Sequence, residues 1–456
     1  MSRAFDAIIV GAGQAGPSLA NRLTQAGQSV ALIERKLFGG TCVNTGCMPT
    51  KTLVASARAA HVARRAADFG VVLAGEVGID MMKVKSRADT VIADARDGVR
   101  AWLDGMDGCT VIEGHACFED AQTLRVGDER LTAPRIFLNV GGRAAIPDMP
   151  GLHDVPYLTN TSILDLEQVP EHLLIVGGSY IGLEYAQMYR RFGARVTVVE
   201  KGRHLIGRED EDVSVAVRDI LEGEGIDIRT GIDNIAFARE GKTIVATLDG
   251  ARVACSHLLV AVGRVPNTGD LGLDKAGVAT DARGYITVDD ELSSNVPGIW
   301  ALGDCNGRGA FTHTAYNDFE IVAANLLDGE HRRLSERVSG YALYIDPPLG
   351  RVGIGEAEAR KRGHPYLVGK RPMTKVGRAV EKGETQGFMK VIVDAETKAI
   401  LGAAILGVEG DEAIHGIIDM MSVGATATQL QRTVPIHPTV SELIPTLLSE
   451  ARAPEA

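Results

Sequence analysis

One pattern occurs twice in this chain, and it limits the fold more than any other feature of the sequence. Apolar Ala7–Val10 runs into Gly11-Ala12-Gly13-Gln14-Ala15-Gly16; a helical stretch comes next, and a second apolar run, Val30-Ala31-Leu32-Ile33, ends on Glu34. The pattern returns as Leu173–Val176, then Gly177-Gly178-Ser179-Tyr180-Ile181-Gly182, then Val196–Val199 and Glu200. Each acid lies 23 residues after the first glycine of its run, and Gly27 and Gly193 each lie 16 after it. A lone Gly-x-Gly-x-x-Gly carries little weight. Strand, glycines, helix, second strand and terminal acid together are a dinucleotide-binding fingerprint. Gly11 allows the tight turn, Gly13 lets backbone approach a pyrophosphate on the helix N-terminus, and Gly16 permits close helix packing. Glu34 and Glu200 are placed to accept hydrogen bonds from a ribose. Ser179 replaces the middle glycine of the second run, and serine is small enough for binding to survive. Two fingerprints predict an α/β chain with two Rossmann-like domains, for two different dinucleotides.

Length and composition agree. A chain of 456 residues is too long for one ordinary core and implies two or three domains. A net charge of −11 argues against nucleic acid or an anionic membrane as partner. No apolar run approaches the ~20 residues of a membrane span. The first residues run straight into a strand and glycines, without a signal-peptide layout. Six cysteines in this length do not make a secreted disulfide scaffold. A cytoplasmic enzyme with one special cysteine pair is expected.

That pair is Cys42 and Cys47, in Gly39-Gly40-Thr41-Cys42-Val43-Asn44-Thr45-Gly46-Cys47-Met48-Pro49-Thr50-Lys51. On an undistorted helix such spacing separates the Cα atoms by about 8–9 Å, beyond the roughly 4.4–6.8 Å of a disulfide. A bond between them requires irregular or helix-start backbone, which Gly46 and Pro49 permit. With the glycine pair before it and Pro-Thr-Lys after it, this stretch resembles the redox-active disulfide of the class I flavin-disulfide reductases: dihydrolipoyl dehydrogenase, glutathione reductase, mercuric reductase and their relatives. The likeness extends along essentially the whole chain.

The resemblance implies an FAD domain at 1–150 and 269–335, a nicotinamide domain at 151–268 and a C-terminal α+β dimerisation domain at 336–456. It assigns the first fingerprint, with Gly40, Thr41 and Lys51, to FAD. Gly114-His115-Ala116 matches a segment whose backbone meets the adenine, and the His115 side chain itself is expected to be an ordinary solvated loop histidine. Asn139-Val140-Gly141-Gly142 stands where the family usually has Ala-Thr-Gly-Ser, with Gly141 the retained glycine. Asp304, after the strand Gly298–Leu302, is implied to hold the ribityl chain, and the helix from about Thr312, including Ala315, to point its positive end at the flavin. Cys305 is expected to be a small buried residue. Gly177, Gly182, Glu200 and Gly263 fall to the nicotinamide cofactor. Glu200 favours NADH, and nearby Lys201 and Arg203 leave NADPH open.

By family position Cys47 is the flavin-side sulfur and Cys42 the interchange thiol. Lys51 and Glu184 are an ion pair beside the flavin; Glu184 is otherwise a surface charge in mid-helix. The run His437-Pro438-Thr439-Val440-Ser441-Glu442 resembles the family's acid–base dyad, which reaches the disulfide of the other subunit of a homodimer. The electron acceptor is least legible. Thr50-Lys51-Thr52-Leu53, Phe311-Thr312 and Pro347–Gly353 are most similar to mercuric-reductase-like flavoproteins that answer reactive chlorine species or reduce Cu(II). No cysteine comes after Cys305, which argues against efficient Hg(II) reduction. A small oxidant or disulfide is the expected substrate, with no resident metal. The alternatives are a dihydrolipoyl dehydrogenase subunit of a multienzyme complex and, less favoured, a redox-sensing flavoprotein.

Overall fold

The computed structural model describes residues 2–454. Its two largest parallel sheets are those the repeat predicts. In the first, the strands run in the order Ile299–Ala301, Ile136–Leu138, Ala7–Val10, Val30–Glu34, Cys109–Glu113, all parallel. Ala7–Ile9 are wholly buried, as expected of a strand covered on both faces. In the second sheet the order is Asp227–Thr230, Arg195–Glu200, His172–Val176, His257–Val260. Its fingerprint helix, Tyr180–Phe192, buries ten of its thirteen residues. The strand Ile299–Ala301 pairs back onto the first sheet, so the chain leaves that sheet, builds the second and returns.

The C-terminal part is a five-stranded antiparallel sheet in the order Gly340–Leu343, Leu349–Gly353, Ile400–Leu406, Phe388–Asp394, Tyr366–Pro372. The strand expected at 390–393 is longer, because Phe388 and Met389 are also apolar, buried and paired with Leu406 and Ile405. No helix among the described residues is long and apolar enough to cross a membrane.

Buried charge ties the three parts together. Arg191, on helix Tyr180–Phe192, donates from Nη1 to Asp346 Oδ2 at 2.5 Å and from Nη2 to Glu224 Oε1 at 2.7 Å, with its side chain 5% exposed. Arg58, on helix Cys47–Arg64, donates to Asp346 Oδ1 and to Glu384 Oε1. Burial opposes ionisation of Asp346, but Arg191 and Arg58 outweigh it and hold its carboxyl below the usual range. Removing Arg191 leaves Asp346 with Arg58 alone and Glu224 without its guanidinium, at a cost of about 3 kcal/mol.

We therefore expect Arg191→Met to lower the chemical-denaturation midpoint clearly. Because the folded Asp346 has a depressed pKa, its stabilisation is complete above the ordinary aspartate range and fades as pH falls through it. Native protein should accordingly lose stability on acidification below about pH 4 more steeply than Arg191→Met. Parallel pH profiles for the two proteins would contradict the assignment.

Candidate active site

The cysteine pair straddles a break between two helices. Gly39 (φ 88°) and Gly40 (φ 61°) turn the chain into helix Gly40–Thr45; Gly46 (φ −133°, ψ −118°) is non-helical, and Cys47 opens helix Cys47–Arg64. A Cβ at Gly46 would stand 2.8 Å from the Thr41 carbonyl oxygen, so only glycine lets the second helix start so close to the first. Pro49 falls in the first turn, where its missing N–H costs nothing. Buried Asn44 fastens the turn by donating to Phe38 O (2.8 Å) and Gly40 O (2.9 Å).

Cys42 and Cys47 are both free, with no disulfide between them, and they titrate as neighbours. One proton and one charge are divided unequally between them. The Cys42 S–H bond to Cys47, then the Thr312 hydroxyl and the Lys51 charge, outweigh burial and bring Cys47 down to about 6. The same bond to Cys47, aided by burial, drives the Cys42 thiol far up. Charge therefore rests on Cys47 and the proton on Cys42. Lys51, one turn along the helix from Cys47, donates from Nζ to Glu184 Oε2 at 2.8 Å and lies 4.5 Å from the Tyr344 ring centre. Glu184 is not a surface charge: its side chain is 6% exposed, and its other oxygen accepts the Tyr344 N–H at 3.0 Å.

The first glycine run makes a cradle that fits a dinucleotide. A Cβ at Gly11 would lie 2.3 Å from Asn139 O, one at Gly16 would lie 2.3 Å from Gly11 O, and one at Gly40 would lie 2.9 Å from Gly13 Cα. Asn139, a departure from the family's usual turn, acts as a strap here: it is buried and donates to Gly11 O at 3.2 Å. Glu34 accepts the N–H groups of Ala12 (2.9 Å) and Lys36 (2.8 Å). Gly141 holds a positive φ, and Ala116 is buried at the start of strand Ala116–Asp120. Asp304, in a short turn after Ile299–Ala301, faces Arg264 Nε at 3.3 Å, and burial nevertheless leaves its carboxyl above the usual range. Such a carboxylate has hydrogen-bonding capacity to spare for a hydroxyl-bearing ligand. Ala315 is buried one turn into helix Thr312–Ala323, against Gly303. Cys305 is wholly buried, with its thiol pushed up to about 12 by burial, and is an inert core residue.

His115 lies in a loop with its side chain 38% exposed, as expected, and it also has partners: its Nε2 lies 2.9 Å from Asp270 O and its Nδ1 3.4 Å from Arg35 Nη1. Asp270, far along the sequence, supplies the contact that a linear reading misses.

The second cradle repeats the first. A Cβ at Gly177 would lie 2.4 Å from Ala261 O, and one at Gly182 would lie 2.1 Å from Gly177 O. Gly263 has φ 140°. Ser179 adopts extended backbone (φ −107°, ψ −178°), which any residue accepts, so no glycine is needed there. Glu200 accepts Gly178 N–H at 2.6 Å and Gly202 N–H at 2.7 Å.

His437 Nδ1 pairs with Glu442 Oε2 at 2.8 Å. The imidazole is 80% exposed and the carboxylate 14%. Among the described residues no hydrogen bond joins His437 to a cysteine of its own chain. Val434 and Ile436 beside it are 95% and 79% exposed. Sequence spacing assigns no role at the site to the side chains of Thr312, Arg264, Tyr344 or Asn44.

The pattern of the pyridine nucleotide-disulphide oxidoreductases matches residues 5–318, and that of their dimerisation domain matches residues 340–448. Among solved structures, the chain resembles the Cu(II) complex of HOCl-induced flavoprotein disulfide reductase RclA from Escherichia coli. The TM-score is 0.90 at 34% identity, covering 98% of this chain and 99% of that one. Mercuric reductase of Streptomyces lividans is 34% identical over 449 residues, 96% of this chain and 94% of the relative. Dihydrolipoyl dehydrogenase of Chlamydia muridarum is 32% identical over 448 residues, 97% and 96% respectively.

The unequal sharing of the proton has a measurable consequence. In reduced apoprotein, alkylation at Cys47, resolved by mass spectrometry, should rise with a midpoint near pH 6. Cys42 should react more slowly than Cys47, and only after Cys47 has been modified. In Cys47→Ser, Cys42 loses the main cause of its elevation and should titrate closer to the ordinary value of about 8.5. Equal midpoints for the two thiols in native protein would contradict the assignment of the charge.

Proposed function

The chain belongs to the pyridine nucleotide-disulphide oxidoreductase family, and on that premise we propose that it passes electrons from NADH through FAD and the Cys42–Cys47 pair to a small oxidant or disulfide. The observation that carries this reading is the Cys42–Cys47 pair itself, split across a helix break with Lys51 and Thr312 around Cys47. FAD, when bound, supplies the two-electron link between the nicotinamide and the sulfur pair. Gly11, Gly13, Gly16 and Gly40 would hold its pyrophosphate, Glu34 its ribose and Asp304 its ribityl chain.

The sulfur chemistry derives from the charge distribution. Two electrons and one proton break the Cys42–Cys47 bond and leave a thiol on Cys42 and a thiolate on Cys47. For a disulfide substrate, His437 of the partner subunit takes the Cys42 proton. Cys42 then attacks one substrate sulfur, and the other leaves with the proton from His437. Cys47 attacks the mixed disulfide, re-forms the internal bond and releases the second thiol with a proton from solvent. Glu442 fixes the tautomer of His437 through Nδ1 and leaves Nε2 for proton transfer. The exposure of His437, and of Val434 and Ile436 beside it, supports a site completed by a second copy. The match to a dimerisation domain over 340–448 supports the same homodimer.

Glu200 supports NADH: a carboxylate at the end of the second strand accepts a free ribose hydroxyl and repels a 2′-phosphate. For the acceptor, likeness to an HOCl-induced flavoprotein solved with Cu(II) supports a small oxidant over a protein-bound lipoyl group.

Anaerobic NADH titration of the FAD-loaded protein tests the reading. A long-wavelength thiolate-to-flavin absorbance should appear after two electrons; bleaching without it would sink the proposal. Cys42→Ser should keep a reducible flavin and lose disulfide turnover by more than about a hundredfold. His437→Ala should slow thiol exchange and remove the pH dependence that the imidazole imposes. Turnover with lipoamide, glutathione disulfide, hypothiocyanite, Cu(II) and Hg(II) then chooses the acceptor. A clear preference for lipoamide would overturn the small-oxidant assignment.

A further inference from the structure

We propose that the hydroxyl of Thr312 helps select which of the two sulfurs carries the negative charge, donating to the Cys47 thiolate and holding it in place. Thr312 Oγ1 lies 3.1 Å from Cys47 Sγ, across 265 residues of sequence. A threonine at a helix start more often satisfies the first turn. Here a different residue does so: Thr314 Oγ1 accepts the Phe311 N–H at 3.1 Å and donates to Phe311 O at 2.8 Å. Thr312 is thereby left over for the sulfur.

Its position is fixed from outside its own helix. The Phe311 ring stacks on Tyr341 (centroids 5.5 Å apart, planes at 5°) and on His313 (5.4 Å, 10°), with Tyr180 tilted against it at 5.6 Å. Tyr341 belongs to the C-terminal sheet, and Tyr180 comes directly after Ser179 in the second glycine run. Both therefore hold the residue next to Thr312. Cys47 itself opens helix Cys47–Arg64, and Thr312 opens helix Thr312–Ala323, so the hydroxyl meets the sulfur where both backbone dipoles already favour negative charge.

The other titratable groups do not make the hydroxyl redundant. Cys42 is the neighbour that most favours the Cys47 thiolate and is itself the rival site for the charge. The hydroxyl also favours a thiolate on Cys42, but there it is outweighed by the bond to Cys47, by burial and by the Cys47 charge. On Cys47 it stands second only to Cys42 among the stabilising contacts. Lys51 favours the Cys47 thiolate, but its ammonium is committed to Glu184, whose carboxylate disfavours it. Tyr344 is a neutral phenol lifted above its usual range by burial. His313 is turned to Gly340 O at 2.8 Å, and burial keeps it neutral. Thr312 is thus the neutral donor that reinforces Cys47 against Cys42 without adding charge to the flavin side. Its proposed role is that of a positioning residue for the redox pair, and it rests on the proposed electron path through that pair.

The test is the pH dependence of the long-wavelength thiolate–flavin absorbance in the two-electron-reduced holoenzyme. Thr312→Val keeps the shape and removes the donor; Thr312→Ser keeps the donor and removes the methyl. The midpoint should rise by about one pH unit in Thr312→Val, a tenfold loss of thiolate at fixed pH, and stay near native in Thr312→Ser. An unchanged midpoint in Thr312→Val would overturn the proposal. So would an equal shift in Thr312→Ser, which would assign the effect to methyl packing. If Thr312→Val is recovered without flavin, Thr312→Ala removes the same donor and is held to the same outcomes. Absence of the absorbance from native protein is a different failure: it rejects the redox-pair reading itself, and this inference with it.

Discussion

Keeping one negative charge on Cys47 is the constraint around which the site is built. A thiolate on the exposed Cys47 persists near neutral pH only where donors and positive charge surround it. Here the donors arrive from separate parts of the chain: Cys42 from the helix before the break, Lys51 from the helix after it, and Thr312 from a helix 265 residues further on. None is strong alone. Lys51 is half neutralised by Glu184, and Thr312 is uncharged. Their effect depends on all three staying within hydrogen-bond or Coulombic range of one sulfur, and that is a requirement on the whole fold.

The requirement explains where the buried ion pairs lie. Asp346 receives Arg191 from helix Tyr180–Phe192 and Arg58 from the helix that begins with Cys47. Just before Asp346 on the same segment, the strand Gly340–Leu343 ends, and Tyr344 N–H meets Glu184, the partner of Lys51. The same helix, Tyr180–Phe192, thus carries Glu184 at the site and Arg191 at the clamp. A buried pair is weak support for stability in itself, but it fixes register strongly because a displaced partner leaves a charge unpaired. The network therefore sets the relative position of the elements that carry the donors to Cys47.

Much of this was legible in the sequence because it is local. The glycine runs, the terminal acids and the cysteine pair each act over short spans of chain, and the strands they predict form the parallel sheets observed. The need for a break between Cys42 and Cys47 came from helix geometry alone, and Gly46 supplies it. What stayed hidden is contact between distant segments. Asn139 strapping Gly11, Asp270 partnering His115 and Thr312 reaching Cys47 have no sequence spacing to betray them. The His437–Glu442 pair, five residues apart, was legible for the same reason that Thr312 was not.

The duplication also shows why two equal cradles need not do equal work. Glu34 and Glu200 each accept two backbone N–H groups, one from their own glycine run and one two residues downstream. The binding geometry encoded by the repeat is thus the same in both. The difference lies in the segment beyond each acid. After Glu34 the chain reaches the Gly39–Gly40 turn within a few residues and presses it onto Gly13, so that the cysteine helix grows directly out of the first cradle. After Glu200 it forms a loop in which Ile206 N–H bonds Gly178 O at 2.8 Å, with Ile206 held at φ 43°. A β-branched residue in that region is strained, and the strain is tolerated where the loop must turn back on the glycines. One cradle opens onto sulfur chemistry and the other closes on itself. That asymmetry, added to a symmetric pair of folds, places the sulfur pair beside the first cradle and not the second.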